Sequence, residues 1–333
     1  MFLTHTNSVY AEDITLLDKV KYPQYVHQVY DGGMLIRTGM RMVPGELVEY
    51  VLRGKQGAPE GTYQFIQTLT KSPDCRVGLI LASGGTKWTG FTSPLTPSAD
   101  YPIFKFPTLA LTQTYAGYIA NKIGGEFEYI STDSTTCISG HSAWYTAQNM
   151  LALNLLDAVV VIATDNGISE DYLAVFGEHG LCKLVDEEDD PEVTKFRLGQ
   201  GCNISVFESD SSRHAPIAKV TDVYTAAEKY ASPQGISPEG TGYRKVIERG
   251  DTENIDFVKS HSTFSKDNEI EEKLIREKFG DIRIVNYKLR IGHTMGPATA
   301  IETALAIQEE SGKFLSLGAG MGNVFSSAIV EIY

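Results

Sequence analysis

Ser131-Thr132-Asp133-Ser134-Thr135-Thr136-Cys137-Ile138-Ser139-Gly140-His141 is the stretch on which the reading of this chain turns. Ahead of it, Glu126 to Ile130 alternates polar and apolar residues, the period of a strand. Behind it, from about Ser142 to Leu156, apolar side chains recur at helical spacing. Between the two lies a run of small hydroxylated residues with one cysteine close to the helix start. Unpaired backbone N–H groups and the positive end of the helix dipole at such a place favour thiolate over thiol. A lone cysteine is more often a buried structural residue, so the rest of the chain has to decide.

The 333 residues are 42% hydrophobic and 21% charged, the balance of a globular protein with a large core, as two modest domains or an intertwined pair of halves. A formal charge of −13 argues against unaided binding to nucleic acid or to an anionic membrane. The start, Met1 to Asn7, lacks the basic residues and long apolar run of a signal peptide. The cysteines, Cys75, Cys137, Cys182 and Cys202, include no pair at metal-ligand spacing. So few in so long a chain suggest reduced thiols and a cytoplasmic setting. Neither a metal nor a cofactor is expected.

Outward from the cysteine, the continuous apolar runs Val77–Ala82 and Asp157–Ala163 read as strands buried on both faces. Residues 46–52, 63–70 and 106–123 read as helices, 31–33 and 54–59 as turns, and the acidic run 185–191 as a solvated loop. Gly199–Phe207 reads as a strand entered through glycines. A second series follows: strands at 218–224, 254–259, 282–287, 313–317 and 324–332, with helices at 268–278 and 297–309. Residues 233–243 form a surface loop. Strand, turn, helix, strand occurs in both halves, which predicts a layered α/β fold, although the halves share too little identity to be read as a repeat unaided.

Three strand exits carry reactive groups: Cys137, His261, and Lys288 with His293. A fourth, Gly318 to Asn323, offers glycine-rich backbone. Strand ends are where α/β enzymes assemble sites. Each group alone also has an ordinary structural role: His261 as a turn cap, His293 as a core histidine, Lys288 as a solvated charge, the glycines as a tight loop. Gly318-x-Gly320-x-Gly322 opens a strand rather than a helix, which argues against dinucleotide binding.

Taken together, these segments resemble the β-ketoacyl synthases, the condensing enzymes of the thiolase superfamily. Asp133-Ser-Thr-Thr-Cys137-Ile-Ser139 is similar to the family's nucleophile segment, and Ile255-Asp-Phe-Val-Lys-Ser-His261-Ser-Thr263 to its first histidine segment. Lys288-Leu-Arg-Ile-Gly292-His293 resembles its Lys-x4-His segment, and Gly318-Ala-Gly-Met-Gly-Asn323 its C-terminal glycine-rich segment. Any one of these is weak, but four in the same order are specific. With weaker similarity at 76–85, 106–124 and 197–207, the resemblance spans roughly residues 76–333.

The resemblance implies a thiolase-like α-β-α-β-α fold with mixed sheets. Residues 1–208 would form an N-terminal half carrying the nucleophile, and residues 209–333 a C-terminal half carrying the two histidines. It implies that the Cys137 thiolate takes an acyl group from an acyl carrier protein. A malonyl-type thioester then loses CO₂, and neutral His261 and His293 donate hydrogen bonds to the enolate. Backbone N–H groups of Cys137 and Ala319, with Gly318 and Gly320 shaping the loop, would form an oxyanion hole, typically about 3 kcal/mol per donor. Lys288 would hold the charge balance. Asp267 would match the acidic residue that follows the first histidine, and His141, four residues after Cys137, would face the pocket or tune the thiol. The superfamily's dimer predicts a two-fold contact near Glu126–Ile130, as a homodimer or a heterodimer with a ketosynthase-like subunit. Docking of an acidic carrier requires a local basic patch, with Arg53, Lys55 or Arg290 as candidates.

Two departures stand out. Ala319 replaces the Phe that usually gates the cysteine, and Met321-Gly322 replaces the usual Gly-Thr. Two alternatives remain open at this point. One is a ketosynthase-like acyltransferase or thioesterase using Cys137 with one histidine. The other is a non-condensing partner subunit, a kind that usually lacks the cysteine. A papain-like protease does not fit, because its cysteine segment and Asn partner are absent.

Overall fold

Val77–Ala82 forms a strand with every residue buried, and Ala158–Asp165 forms another, buried along its whole length and paired with it in parallel. The computed structural model describes residues 1–10, 62–84, 112–165, 199, 201–209, 213–233, 235–263 and 267–333. The sequence readings at 31–33, 46–52, 54–59 and 185–191, and the first part of the helix read at 106–123, lie outside the described residues. In chain order the strands are β1 (Phe2–Tyr10), β2 (Val77–Ala82), β3 (Tyr129–Asp133), β4 (Ala158–Asp165), β5 (Gly201–Glu208), β6 (Ala218–Ala227), β7 (Phe257–Lys259), β8 (Arg283–Val285), β9 (Lys313–Gly320) and β10 (Val324–Ile332). The helices are α1 (Thr62–Thr70), α2 (Thr112–Ile123), α3 (Ser139–Ala152), α4 (Thr241–Ile247), α5 (Asn268–Phe279), α6 (Lys288–Ile291) and α7 (Ala298–Glu309).

The strands lie in the order β3-β2-β4-β5-β1-β6-β10-β9-β7-β8. Numbering the last five from their own start gives the order of the first five run backwards. The directions repeat as well. β2 pairs in parallel with β3 and β4, as β7 does with β8 and β9. β5 is antiparallel to both of its neighbours, as β10 is to both of its own. The same layout thus occurs twice, and the two copies join where β1 meets β6 through Phe2↔Lys219 and Leu3↔Ala218. The ten strands are hydrogen-bonded into one continuous sheet, whose two halves form separate layers on either side of the central helices.

Alternation along each strand assigns its two faces. Val77, Leu79 and Leu81 of β2 and Val160 and Ile162 of β4 pack on Ile66 and Leu69 of α1 and Tyr115 and Ile119 of α2. The opposite residues, Ile80, Val159 and Val161, join Trp144 and Ala147 of α3 and Ile301 and Leu305 of α7. In the second copy, Leu315 and Leu317 of β9 and Phe325 of β10 face outward onto α4 and α5, while Phe314 faces α7. The layers run helix, sheet, helix, sheet, helix, the α-β-α-β-α arrangement of a thiolase-like fold. The central layer leaves α7 with ten consecutive buried residues, Ala298 to Ile307.

Strand β1 has no apolar alternation to announce it. Its hydroxyls and amide are matched across the sheet instead: Asn203 Nδ2 donates to Thr6 Oγ1 at 3.0 Å and to Ser8 Oγ at 2.9 Å. Burial there rests on paired polar groups rather than on hydrophobicity.

The central helices meet at Gly140. Its N–H donates to Gly296 O at 3.2 Å, and a Cβ placed there would lie 2.8 Å from the Ala300 Cβ and 2.9 Å from the Ala300 N. Gly140→Ala gains up to about 1 kcal/mol of helix propensity but overpacks a backbone contact at about 1–3 kcal/mol. The expected outcome in denaturant unfolding is net destabilisation; a more stable variant would show that the helices separate freely.

Candidate active site

Strand β3 ends at Asp133, and the chain reaches α3 through a single 3₁₀ turn, Thr136–Ile138. The small hydroxylated residues hold this turn together. The Asp133 carboxylate accepts from Thr135 Oγ1 at 2.6 Å and Ser142 Oγ at 2.7 Å, and Ser139 Oγ accepts from the Thr135 N–H at 2.9 Å. Thr136 takes φ +49°, a left-handed conformation that is an outlier for a β-branched residue. Such strain gathers where the surroundings force a functional geometry.

Cys137 sits on this turn, 6% exposed. The glycine-rich segment lies against it. A Cβ on Gly320 would be 2.1 Å from Thr136 Oγ1 and 3.2 Å from the Cys137 N. The Met321 backbone amide favours the thiolate form of Cys137. Burial pushes the thiol up to about 12, while the Lys288 charge and the Met321 N–H pull it down and Asp165 and Glu302 push it further up. The thiolate expected from the helix start is therefore not the resting form: desolvation outweighs the backbone dipoles.

His261 follows β7. Its backbone N–H donates to Glu271 Oε1 at 2.6 Å and that of Ser262 to Glu271 Oε2 at 2.8 Å, so one buried carboxylate of α5 fixes the turn. The Thr263 N–H donates to Asn268 Oδ1 at 3.0 Å. His293 follows α6 through Gly292, whose φ of +71° suits glycine. The two imidazoles meet edge to face with centroids 5.5 Å apart. Both are held well below the ordinary histidine value, first by burial and next by the Lys288 charge. Each is neutral at neutral pH and has one N–H to donate.

Lys288 reaches into the protein at the start of α6. Its Nζ is 2.5 Å from Glu302 Oε1, and Lys259 Nζ lies 3.0 Å from the other oxygen, Oε2. Lys259 Nζ also donates to Leu317 O at 2.7 Å. All three side chains are buried, Lys259 and Glu302 completely.

The remaining expected residues divide. Gly318, Ala319 and Gly320 belong to the end of β9, with Ala319 paired to Phe325, and the hairpin turns through Met321–Asn323. His141 does not open onto a pocket. It is fully buried, with Ser326 Oγ at 3.0 Å from Nδ1 and Thr303 Oγ1 at 3.2 Å and Ser316 Oγ at 3.3 Å from Nε2. It is a satisfied core histidine. The acidic partner of the His261 turn is Glu271 rather than Asp267, which stands half-buried just before α5. Arg290 is bound to Glu309 at 2.6 Å, which weakens it as a docking cation, and Arg53 and Lys55 lie outside the described residues. Glu302, Glu271 and Lys259 were not picked out from sequence. Glu302 does leave a trace, as the lone charge among the apolar and hydroxyl residues 298–307. Glu271 leaves none among the charges of α5.

No protein-family model matches the chain, and no curated protein matches it. Solved structures do. The chain is similar over its full length to a type II PKS ketosynthase in complex with its acyl-carrier protein, AntDE:AntF, covering 98% of that chain at 15% identity and TM-score 0.73. It is similar, again over its full length, to the ketosynthase ApeO with its chain length factor ApeC from Xenorhabdus doucetiae, covering 98% at 15% identity and TM-score 0.71. A β-ketoacyl synthase from Burkholderia phymatum matches over 99% of its length at 14% identity and TM-score 0.71. The architecture is that of a thiolase-like α/β protein. More narrowly, the chain has the fold of the ketosynthases.

Two measurements follow from these electrostatics. Iodoacetamide should alkylate Cys137 slowly at pH 7, about tenfold faster per pH unit upward through pH 9. Lys288→Met, which removes a charge favouring the thiolate, should slow alkylation at fixed pH; an unchanged rate would place that charge out of reach of the sulfur. Stability should fall on acidification. His141, His261 and His293 all have depressed values in the folded chain, so their contribution is complete above the unfolded value of about 6.5 and is lost below it. The slope is about 1.4 kcal/mol per pH unit for each histidine. Urea unfolding between pH 7 and 5 checks it, and a flat profile would contradict neutral burial.

Proposed function

We propose that the chain is an acyltransferase of the β-ketoacyl synthase type, joining a carrier-bound acyl group to a malonyl-type extender through a thioester on Cys137. What carries this reading is that a buried thiol and two neutral imidazoles in edge-to-face contact all lie within the influence of one buried lysine charge, Lys288. In the first half-reaction the S–H proton leaves, sulfur bonds to the acyl carbon, and the carrier thiolate departs and is protonated. Lys288 and the Met321 N–H stabilise the thiolate as it forms. N–H groups of Cys137 and Ala319 are the candidate donors to the tetrahedral oxyanion.

In the second half-reaction the extender loses CO₂ and an enolate oxygen develops. Two neutral histidines suit that oxygen, because each donates a hydrogen bond without protonating the carbanion. The enolate carbon attacks the Cys137 thioester, and the sulfur is released. On this reading residues 1–208 and 209–333 act as two halves meeting at the site, one bringing the nucleophile and the other the imidazoles and Lys288.

The partners implied are an acyl carrier protein, acyl and malonyl thioesters, and a second ketosynthase-like subunit. Carrier and chain length factor accompany the ketosynthases AntDE:AntF and ApeO:ApeC. Strand β3 is one of the two terminal strands of the sheet among the described residues, with Ile130 43% exposed, and is the candidate two-fold contact. Among the described residues no helix is long and apolar enough to cross a membrane, and the proposed setting is the cytoplasm.

Intact-mass analysis after incubation with acyl-loaded carrier proteins should show one added acyl group, absent in Cys137→Ala. Malonyl-carrier decarboxylation should fall at least about hundredfold in His261→Ala and in His293→Ala. Acyl loading without decarboxylation would favour a plain acyltransferase or thioesterase, and no loading at all would sink the proposal.

A further inference from the structure

The mechanism above gives no part to Asp165, the last residue of β4, which is completely buried. Its Oδ2 accepts from two backbone N–H groups, that of Gly84 at 2.8 Å and that of Gly296 at 3.2 Å. Gly84 lies just past β2, and Gly296 stands three residues after His293. The two glycines pack back to back. A Cβ on Gly84 would be 3.3 Å from the Gly296 N, and a Cβ on Gly296 would run into the Gly84 N. Backbone without side chains is what brings both N–H groups to one oxygen.

These two bonds belong to a closed ring. The Gly296 O accepts from the Gly140 N–H at 3.2 Å. Beside Gly140, Ser139 Oγ donates to Ser83 O at 3.0 Å. Ser83 O and the Gly84 N–H are the two ends of one peptide unit, which returns the path to Asp165. Cys137 sits two residues before Ser139 and His293 three before Gly296, so the ring joins the segment of the nucleophile to that of one imidazole. The ring also accounts for a strained residue. Met295 takes φ +63°, a left-handed conformation that persists where the surroundings over-determine it. Its successor Gly296 is held at both N–H and O, and before it the His293 O accepts from the Gly199 N–H at 2.9 Å. The turn from His293 toward α7 is thus fixed at both ends. Hydrogen bonds to a carboxylate are about twice as strong as those between neutral groups, which suits a joint that carries strain.

We propose that Asp165 is a positioning residue for His293: by holding the Gly84 and Gly296 N–H groups on one oxygen, it sets where that imidazole stands against His261 and Cys137. What the aligned imidazoles do rests on the condensing reading, whereas their alignment is measured without substrate.

The full chain with ¹³C-labelled histidines is recorded by NMR for the cross-peak between the ring protons of His261 and His293, which their edge-to-face contact at 5.5 Å brings close. Resonances are assigned by their loss in His261→Ala and His293→Ala. Asp165→Ala and Asp165→Leu remove the acceptor; each should weaken or abolish the cross-peak and move the His293 resonances. The His5 and His214 rings, which pack on Phe65, should stay unmoved and report an intact fold. Asp165→Asn keeps an oxygen that can accept from both N–H groups and should restore the native pattern. In malonyl-carrier decarboxylation the Ala variant should lose about ten- to hundredfold in kcat with KM little changed, and the Asn variant should recover most of it. A native cross-peak with native His293 resonances in both the Ala and Leu variants would overturn the proposal. So would an Asn variant displaced as far as the Ala variant. Failure of both the Ala and Leu variants to fold would also overturn it, because the carboxylate would then serve folding alone. If Cys137 failed to take an acyl group, the condensing reading would fall while the NMR comparison still decided the role of Asp165.

Discussion

Glu302 lies in the middle of a helix that is buried on every side, and both of its oxygens are held by lysines. That constraint shapes the rest of the site. With sheets on both faces of α7, no water is at hand to solvate a charge there, so an anion in the helix must be matched by side chains arriving from other elements. Lys288 comes from the short helix before His293 and Lys259 from the strand before His261. One carboxylate therefore ties the supports of both imidazoles to the central layer, and Lys259, by donating to Leu317 O, also ties them to β9, whose end runs beneath Cys137.

The same dryness sets the chemistry. It raises the thiol, lowers the histidines and strengthens every hydrogen bond and charge aimed at the sulfur. A buried thiol held in its neutral form is a weak nucleophile toward stray electrophiles. Neutral imidazoles, in turn, can donate hydrogen bonds to an anion without first carrying a charge of their own. The positive end of α3 contributes less than its position suggests, because the cysteine sits on a 3₁₀ turn before the helix and the cost of burial is larger.

Backbone strain is placed at the same point. Among the described residues, five non-glycine positions have positive φ, and three of these are Asn, which tolerates it. The two others are Thr136, directly before Cys137, and Met295, two residues after His293. Gly320 closes against Thr136 so tightly that a methyl group would not fit. The turns are thus over-determined from outside. Hydroxyls bracket Cys137, Glu271 grips the His261 turn, and Asn323 anchors the hairpin by donating to Ser232 O and Gly235 O, both at 2.8 Å.

The sequence by itself determined the alternation of buried strands and helices. Val77–Ala82 and Val324–Ile332 were legible to the residue, because continuous or alternating apolar runs record directly which faces are covered. It also determined the order of the four reactive segments, because small residues, glycines and a cysteine at strand exits are local signals. Tertiary structure alone decided the rest. Strand β1 was hidden, because its polar residues are satisfied by distant partners, Thr62 of α1 and residues of β5 some two hundred positions away. The doubled sheet order was hidden because pairing is not local. His141 became a core residue once three hydroxyls from α7, β9 and β10 closed around it. Asp267 gave way to Glu271 because a carboxylate's partner depends on which residue of a helix turns inward. Lys259 and Glu302 acquired meaning only together, since a charge in an apolar setting is intelligible through the opposite charge that the fold brings to it.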